Sequence, residues 1–280
     1  MSFDIVVPHP AADANKYSRG KLVVIAGSAR YPGAAVLAAR ASQRMGAGYT
    51  EVVTARCAVD AVRASSPSLV VRATADWSAD ELPEFTDAKP CAVCVGPGFV
   101  PGAKKSGELL LRVLEAAQCP VLVDGGALQH LATARALERL GRRIDDGFPL
   151  IITPHGGEAA RLAAPLRLHG TTPDRMVAGL ALAFRCVVVL KGPDTYVSDG
   201  KKVEVMTQGG PALAKAGTGD VLAGMISALL AQGVSPLAAA YSGAALHARA
   251  GALAAERLTD IAVCAEDVID FIPEALKQFG

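Results

Sequence analysis

Residues 22–35 read Leu22-Val23-Val24-Ile25-Ala26-Gly27-Ser28-Ala29-Arg30-Tyr31-Pro32-Gly33-Ala34-Ala35. Five apolar residues without polar alternation predict a strand covered on both faces; glycine and proline then break the chain, and small residues open a helix. The unit recurs. Apolar runs at 49–54, 91–95, 120–123, 150–153 and 186–190 are each followed by an amphipathic stretch of helix length. This alternation predicts an α/β fold, a three-layer α/β/α sandwich with a mostly parallel central sheet. After Lys191 the pattern changes. Runs at 195–198 and 202–206 flank Asp199-Gly200, a hairpin signal, and helices are predicted over 217–231, 236–255 and 265–277. No Ser/Pro/Gly tract and no repeat divides the chain, so a single domain over residues 1–280 is expected.

The 280 residues carry 28 Lys+Arg against 27 Asp+Glu, a formal charge of +1. Polyanion binding needs a clustered basic excess, so nucleic acid and anionic membrane are not expected partners. The N-terminus has Asp4, two early prolines and no apolar run of signal-peptide length, which places the chain in the cytoplasm. Between Asp220 and Arg249 there is no formally charged residue, and a spanning helix takes roughly 20 apolar residues. Gln232-Gly233-Val234-Ser235-Pro236 breaks that stretch, leaving two packed helices of a soluble core. The six cysteines at 57, 91, 94, 119, 186 and 264 read as free thiols. Cys91-Ala92-Val93-Cys94 has metal-site spacing, but in a strand residues three apart point to opposite faces, which argues against zinc. The charged segment 138–146 reads as a solvated helix end and loop.

In open parallel sheets ligands bind beyond the carboxyl ends of the strands, so the residues after each apolar run carry the chemistry. The turn at 27–33 serves either as a tight strand-to-helix connection or as a cradle whose backbone approaches a ligand. Gly96-Pro97-Gly98-Phe99 and Asp124-Gly125-Gly126 follow two other strands. Neither forms GxGxxG at the start of the first helix and no GxxxxGK[ST] occurs, which excludes Rossmann dinucleotide and P-loop sites. Thr153-Pro154-His155 with Glu158 puts an imidazole and a carboxylate where a helix begins. Glu158 fits a first-turn acid favoured by the helix dipole, and His155 either a loop surface or a ligand contact.

The sharpest signal is Ala214-Lys215-Ala216-Gly217-Thr218-Gly219-Asp220-Val221-Leu222-Ala223-Gly224. Backbone N–H groups at Gly217, Thr218 and Gly219 can ring a phosphoryl group with no side chain in the way. Asp220 stands either as a helix cap or as a base for an attacking hydroxyl. Phosphoryl transfer otherwise needs positioning and charge neutralisation, usually with Mg²⁺.

Gly217-Thr218-Gly219-Asp220 ahead of an apolar helix resembles the anion-hole and base motif of ribokinase-like small-molecule kinases. Gly20-Lys21, Val24-Ile25-Ala26-Gly27-Ser28, Tyr31-Pro32-Gly33-Ala34-Ala35, Gly46-Ala47-Gly48, Gly96-Pro97-Gly98, Thr153-Pro154-His155 with Glu158, and Leu190-Lys191-Gly192 narrow it. In order and spacing, from about residue 16 to 275, they resemble the ADP-dependent (S)-NAD(P)H-hydrate dehydratases. The resemblance implies a ribokinase-like fold and a lyase that returns NADHX and NADPHX, the 6-hydroxy hydrates, to NADH and NADPH. ADP is consumed as phosphoryl donor, with release of AMP and phosphate. It implies Asp220 as base, with the amides of Gly217, Thr218 and Gly219 on the transferring group. Substrate contacts fall on Ala34, Ala35, Gly98, His155 and Asp220. Nucleotide contacts fall on Lys191, Gly192, Pro193, Asp194, Thr195 and Gly219, while Glu158 helps place Mg²⁺ through water. Read alone, Lys191 is equally a surface lysine ending a strand. Relatives form homotetramers, and the Ala-rich helix 236–255 packs either on a neighbour or in the monomer core. About 20 residues precede the first strand, so epimerisation of the hydrate is expected from a separate protein.

Two positions depart from the family pattern. Asp124-Gly125-Gly126-Ala127-Leu128 replaces Asp-Ala-Asp-Ala-Leu, removing a carboxylate at Gly126, and Lys215 stands where a small residue is usual. Lys215 either adds charge near the phosphates or points to solvent. A vitamin-precursor kinase of the hydroxyethylthiazole or pyridoxal type would share the anion hole, and a non-catalytic nucleotide sensor would keep the pocket without turnover. The Tyr31–Ala35 turn, Thr153-Pro154-His155 and the presence of Asp220 favour the dehydratase.

Overall fold

A computed structural model describes residues 4–168 and 171–279; the outer limits of the expected domain, residues 1 and 280, lie outside them. Seven parallel strands form the sheet: β1 (Lys21–Ile25), β2 (Tyr49–Thr54), β3 (Val70–Ala73), β4 (Cys91–Val95), β5 (Val121–Val123), β6 (Leu150–Ile152) and β7 (Val187–Leu190). An antiparallel pair, β8 (Thr195–Ser198) and β9 (Val203–Met206), extends one edge. The order is β3-β2-β1-β4-β5-β6-β7-β8-β9. The chain winds outward from β1 to β3, then returns to lay β4 on the other side of β1. The crevice beyond the β1 and β4 carboxyl ends is therefore a topological switch point, where such sheets bind ligands.

Both faces of the sheet's centre are covered, which is why β4, β5, β6 and β7 are apolar throughout. Leu22 and Val24 of β1, Ala92 and Cys94 of β4, and Val187 and Val189 of β7 enter one core. That core also holds α1 (Gly33–Arg44), α2 (Val59–Ser65), α7 (Thr218–Ala231), α8 (Pro236–Leu258) and α9 (Ala265–Leu276). Val23 and Ile25, Cys91 and Val93, and Val188 and Leu190 enter the other, with α3 (Lys104–Ala116), α4 (Ala134–Asp145), α5 (Gly156–Ala163) and α6 (Pro173–Phe184). Cys91 and Cys94 thus point to opposite faces, as strand periodicity requires. Burial pushes the Cys94 thiol up to about 12, which keeps it a packing group.

The uncharged stretch resolves into α7 and α8, divided at Gln232–Ser235. Among the described residues no helix is long and apolar enough to cross a membrane. α7 is apolar all round because it is buried all round: every residue from Val221 to Ala231 is inaccessible or nearly so. α8 packs against α7 and α9, with Ala239, Ala240, Leu246, Ala250 and Ala254 in the shared core. Of the two roles expected for it, α8 fills the monomer core.

Three features differ from expectation. β3 was not expected; its four residues lie at the sheet edge with Val70 and Arg72 partly exposed, so no long apolar run marks it. Segment 138–146 is not wholly solvated. Arg143 is buried, donating to the Ala117 and Cys119 carbonyls before β5, where burial pushes its guanidinium down to about 10. The runs at 49–54, 91–95 and 195–198 form strands with the expected bounds, while other helix and strand ends shift by one to three residues, as capping geometry and not periodicity sets them.

At Gly224 a β-carbon would stand 2.2 Å from the Ala38 carbonyl oxygen, so α1 and α7 meet backbone to backbone. Gly224→Val should therefore lower stability by at least about 3 kcal/mol in a denaturant titration, the upper range for overpacking; an unchanged midpoint would refute the close contact.

Candidate functional site

The carboxyl ends of β1, β4, β5, β6 and β7 meet the N-terminus of α7. Gly217 leads into that helix at φ +94°, a left-handed bend that favours glycine, and its missing β-carbon leaves room for Leu37 and Ala265 at 2.6 and 3.0 Å. The Thr218 hydroxyl turns back to the Leu213 and Lys215 carbonyls at 2.8 and 2.9 Å. The side chain thus braces the bend, leaving only the backbone of Thr218 to face an anion. Amides in the first turn of a helix lack intrahelical acceptors, and the helix dipole adds a favourable field for negative charge.

Beside this turn lies a buried ion pair. Lys191 ends β7, and its Nζ lies 2.7 Å from Asp124 Oδ1, which also accepts from Thr153 Oγ1 at 2.6 Å. The same ammonium stands 3.2 Å from where a Gly219 β-carbon would be. A side chain at Gly219 would therefore displace it from the helix mouth. Burial works against the Lys191 charge, but Asp124 and Glu158 outweigh it and hold the amine above its usual range.

Glu158 and Asp220 sit on the other side of this balance. Burial raises the Glu158 pKa, with Lys191 and the His155 N–H opposing it. Asp220 is pushed up to about 7 by burial, then by the neighbouring Asp124 charge; Lys191 offsets part of this and Glu158 adds to it. A carboxyl poised near neutrality is suited to take up a proton and release it again.

His155 caps α5. Its Nδ1 accepts from Gly157 N at 3.0 Å, and its own N–H donates to Glu158 Oε2 at 2.9 Å. Glu158 is therefore both the first-turn acid that the dipole favours and a neighbour of Lys191. The imidazole is 56% exposed, with its Nε2 3.5 Å from Glu158 Oε1. Backbone pairing of His155 with Lys191 brings α5 and the end of β7 together.

At the switch point Gly98 has φ +69° and a vacant β-carbon position 2.5 Å from Ala34 Cβ and 3.2 Å from Gly27 Cα. Ala34, Gly27 and Gly98 thus form one close-packed lip. Ala35 differs: the whole residue is inaccessible and packs in the core, so it is not brought to the ligand side of the lip. Gly27, Ser28, Ala29 and Phe99 line a cavity of about 450 Å³ beside that lip. A smaller cavity of about 90 Å³ lies between the β7–β8 connection and α8, lined by Lys191, Gly192, Pro193, Thr195, Gly219 and His247 among others. Asp194 is not part of its lining.

The two departures from the family pattern have local explanations. A β-carbon at Gly126 would lie 2.2 Å from the Phe99 carbonyl oxygen, so this backbone leaves no room for a second carboxylate there. Lys215 lies on the exposed side, as one of its two expected readings has it, and there donates to the Ile261 carbonyl at 2.5 Å, tying the loop before α7 to the segment before α9. Sequence reasoning missed Thr153 as a support of Asp124, and His247 as part of the cavity wall. The available signal for His247 was an imidazole alone in a stretch without formal charges.

A family model described as NAD(P)H-hydrate dehydratase matches residues 22–274. The chain is 32% identical over 282 residues to an ADP-dependent (S)-NAD(P)H-hydrate dehydratase of Xanthomonas campestris, covering 97% of this chain and 93% of that one. It is 34% identical to a bifunctional NAD(P)H-hydrate repair enzyme of Moorella thermoacetica over 97% of this chain, and spans 52% of that longer relative. Among solved structures, it superposes with a TM-score of 0.82 on an ADP/ATP-dependent NAD(P)H-hydrate dehydratase from Bacillus subtilis co-crystallized with ATP/Mg²⁺. That pair is 27% identical, covering 98% of this chain and 94% of the other.

The raised Asp220 pKa has a consequence for stability. The folded chain keeps this proton up to about pH 7, whereas an unfolded aspartate releases it near 3.8, so stability falls as pH rises through that window. Asp220→Asn should then be more stable than the parent chain at pH 8, by on the order of 1–3 kcal/mol, and no more stable at pH 3. Thermal denaturation at the two pH values checks this; an equal Tm at pH 8 would contradict the burial of this charge.

Proposed function

Because the chain belongs to the NAD(P)H-hydrate dehydratase family, we propose that it carries out ADP-dependent dehydration of the S epimers of NADHX and NADPHX, releasing AMP and phosphate. The observation that carries this is the meeting of three features. A near-neutral carboxyl, Asp220, sits in the first turn of a helix entered through a left-handed glycine, beside a lysine that lines the adjoining cavity.

Hydroxide is a poor leaving group, so the hydrate must first be esterified. ADP occupies the side of Lys191, Gly192, Pro193, Asp194 and Thr195, and the ring of the hydrate lies toward Ala34, Gly98 and His155. Asp220 takes the proton of the 6-hydroxyl as its oxygen attacks the β-phosphorus, and the bond to the AMP oxygen breaks. The amides of Gly217, Thr218 and Gly219 receive the charge on the transferring group. Phosphate then leaves C6, pushed by the ring nitrogen, and loss of a proton from C5 re-forms the double bond. Lys191 neutralises phosphate charge while Asp124 and Thr153 hold it in place.

Magnesium fits this donor set, which offers hard carboxylate oxygens around one ammonium. Among the described residues no three His, Cys, Asp or Glu side chains converge to hold an ion directly, so Glu158 would hold it through water. When bound, the ion supplies neutralisation of the phosphate charge. We place the reaction in the cytoplasm, in a single-domain chain that works as a homotetramer, with an NAD(P)H-hydrate epimerase as functional partner because only one epimer is consumed.

Incubating the chain with ADP and hydrated NADH should restore absorbance at the reduced nicotinamide band. Activity should fall as pH drops below about 7, because the protonated Asp220 is no longer a base. Asp220→Asn should lower turnover about 10²–10⁴-fold with nucleotide binding retained. No recovery of absorbance, with nucleotide consumed on an alcohol instead, would assign the site to a kinase; unchanged turnover in the variant would remove Asp220 as the base.

A further inference from the structure

We infer that the 450 Å³ cavity beside the lip receives the adenosine-phosphate half of the hydrated dinucleotide, with Lys105 and Arg112 of α3 binding its phosphate oxygens. The inference rests on the dehydratase reading above and deepens it, by placing the part of the substrate that the reaction leaves untouched.

Position comes first. Gly27 belongs both to the lip that it forms with Ala34 and Gly98 and to the cavity wall, so the two spaces adjoin. From there the cavity reaches Ala55, just after β2, and Thr74, just after β3. In the strand order it opens from β1 toward the β3 edge, away from β7 and Lys191. A dinucleotide whose reacting ring lies at the lip beside Asp220 must carry its other half away from ADP on the β7 side. This cavity lies in that direction.

Size and lining agree with such an occupant. Ligand pockets typically enclose roughly 300–1,000 Å³ and combine apolar walls with a few convergent polar groups. Phe99, Val100 and Leu109 supply apolar surface for a purine. Lys105 and Arg112 line the same cavity and stand seven residues apart, on one face of α3 and about 10 Å from each other along its axis.

The needs of the fold do not explain these two cations. Lys105 stands in the first turn of α3, where the helix dipole disfavours positive charge. The acid in the same wall, Glu108, lies 3.8 Å from Lys104. Among the described residues neither Lys105 nor Arg112 enters an ion pair, and both are exposed and free to turn toward a ligand. A solvated cation needs no partner, but two that converge on a cavity adjoining the substrate lip make it selective for an anion. The adenosine half supplies one: both hydrates carry a pyrophosphate, and NADPHX adds a 2′-phosphate. Ammonium and guanidinium groups bind either through charge-assisted hydrogen bonds.

Initial-rate kinetics with NADHX and with NADPHX, for the full chain and for Lys105→Gln, Arg112→Gln and Arg112→Lys, test this. Each glutamine variant should raise the KM for NADPHX about tenfold, the factor for one hydrogen bond to a charged group, while kcat and the KM for ADP hold. Arg112→Lys keeps the charge and should recover part of the loss. A rise confined to NADPHX assigns the 2′-phosphate to the pair, and a rise for both hydrates assigns the pyrophosphate they share. Parental KM values for both hydrates in the two glutamine variants would overturn the inference, and so would an equal rise in the KM for ADP. No turnover of either hydrate by the parent chain would instead overturn the dehydratase reading underneath it.

Discussion

One ammonium shared among three carboxylates governs this structure. Lys191 Nζ is in contact with Asp124, and both Glu158 and Asp220 are close enough to feel its charge. With all three acids ionised the group would carry excess negative charge in a poorly hydrated place, so protons are held more tightly than in water. A phosphate-bearing ligand accompanied by a divalent cation would alter that balance, and the carboxyl best placed to change state is the one in the first turn of α7.

Everything around that group serves to hold it. Parallel strands end together, so Asp124 just after β5, Thr153 just after β6 and Lys191 just after β7 reach the same level without long loops. α7 can bring Asp220 to that level only because Gly224 lets it lie directly on the backbone of α1. Thr218 spends its hydroxyl on the bend and leaves the amides clear. Small residues recur in the site for one reason: each marks a place where backbone must approach backbone or ligand more closely than a side chain permits.

Some of this was legible in the linear chain and some was not. The strands of the parallel core are apolar without alternation, so their existence and their burial on both faces could be read directly; β3 could not, because an edge strand of four residues buries too little to impose a pattern. The bend at Gly217–Asp220 was legible from glycine spacing, since left-handed backbone and free amides need that composition. The Asp124–Lys191 pair was not, because its members are 67 residues apart and neither segment refers to the other. Arg143 misled for a related reason: a charge in a charged run reads as solvated, and only the carbonyls ahead of β5 make its burial tolerable.

Local propensity and periodicity were thus enough to determine the α/β alternation, the hairpin after Lys191 and the two helices of the uncharged stretch, while the family was legible as a resemblance of motifs. Tertiary structure alone decided the strand order that puts a crevice between β1 and β4, and the charge balance that lifts Asp220 toward neutrality. It also decided that Lys215 binds a carbonyl instead of facing a phosphate, and that His247 lines a cavity. The division follows from the range of the forces. Hydrogen-bond geometry and apolar patterning act over a few residues and leave their trace in the chain, whereas burial and electrostatics depend on segments that become neighbours only after folding.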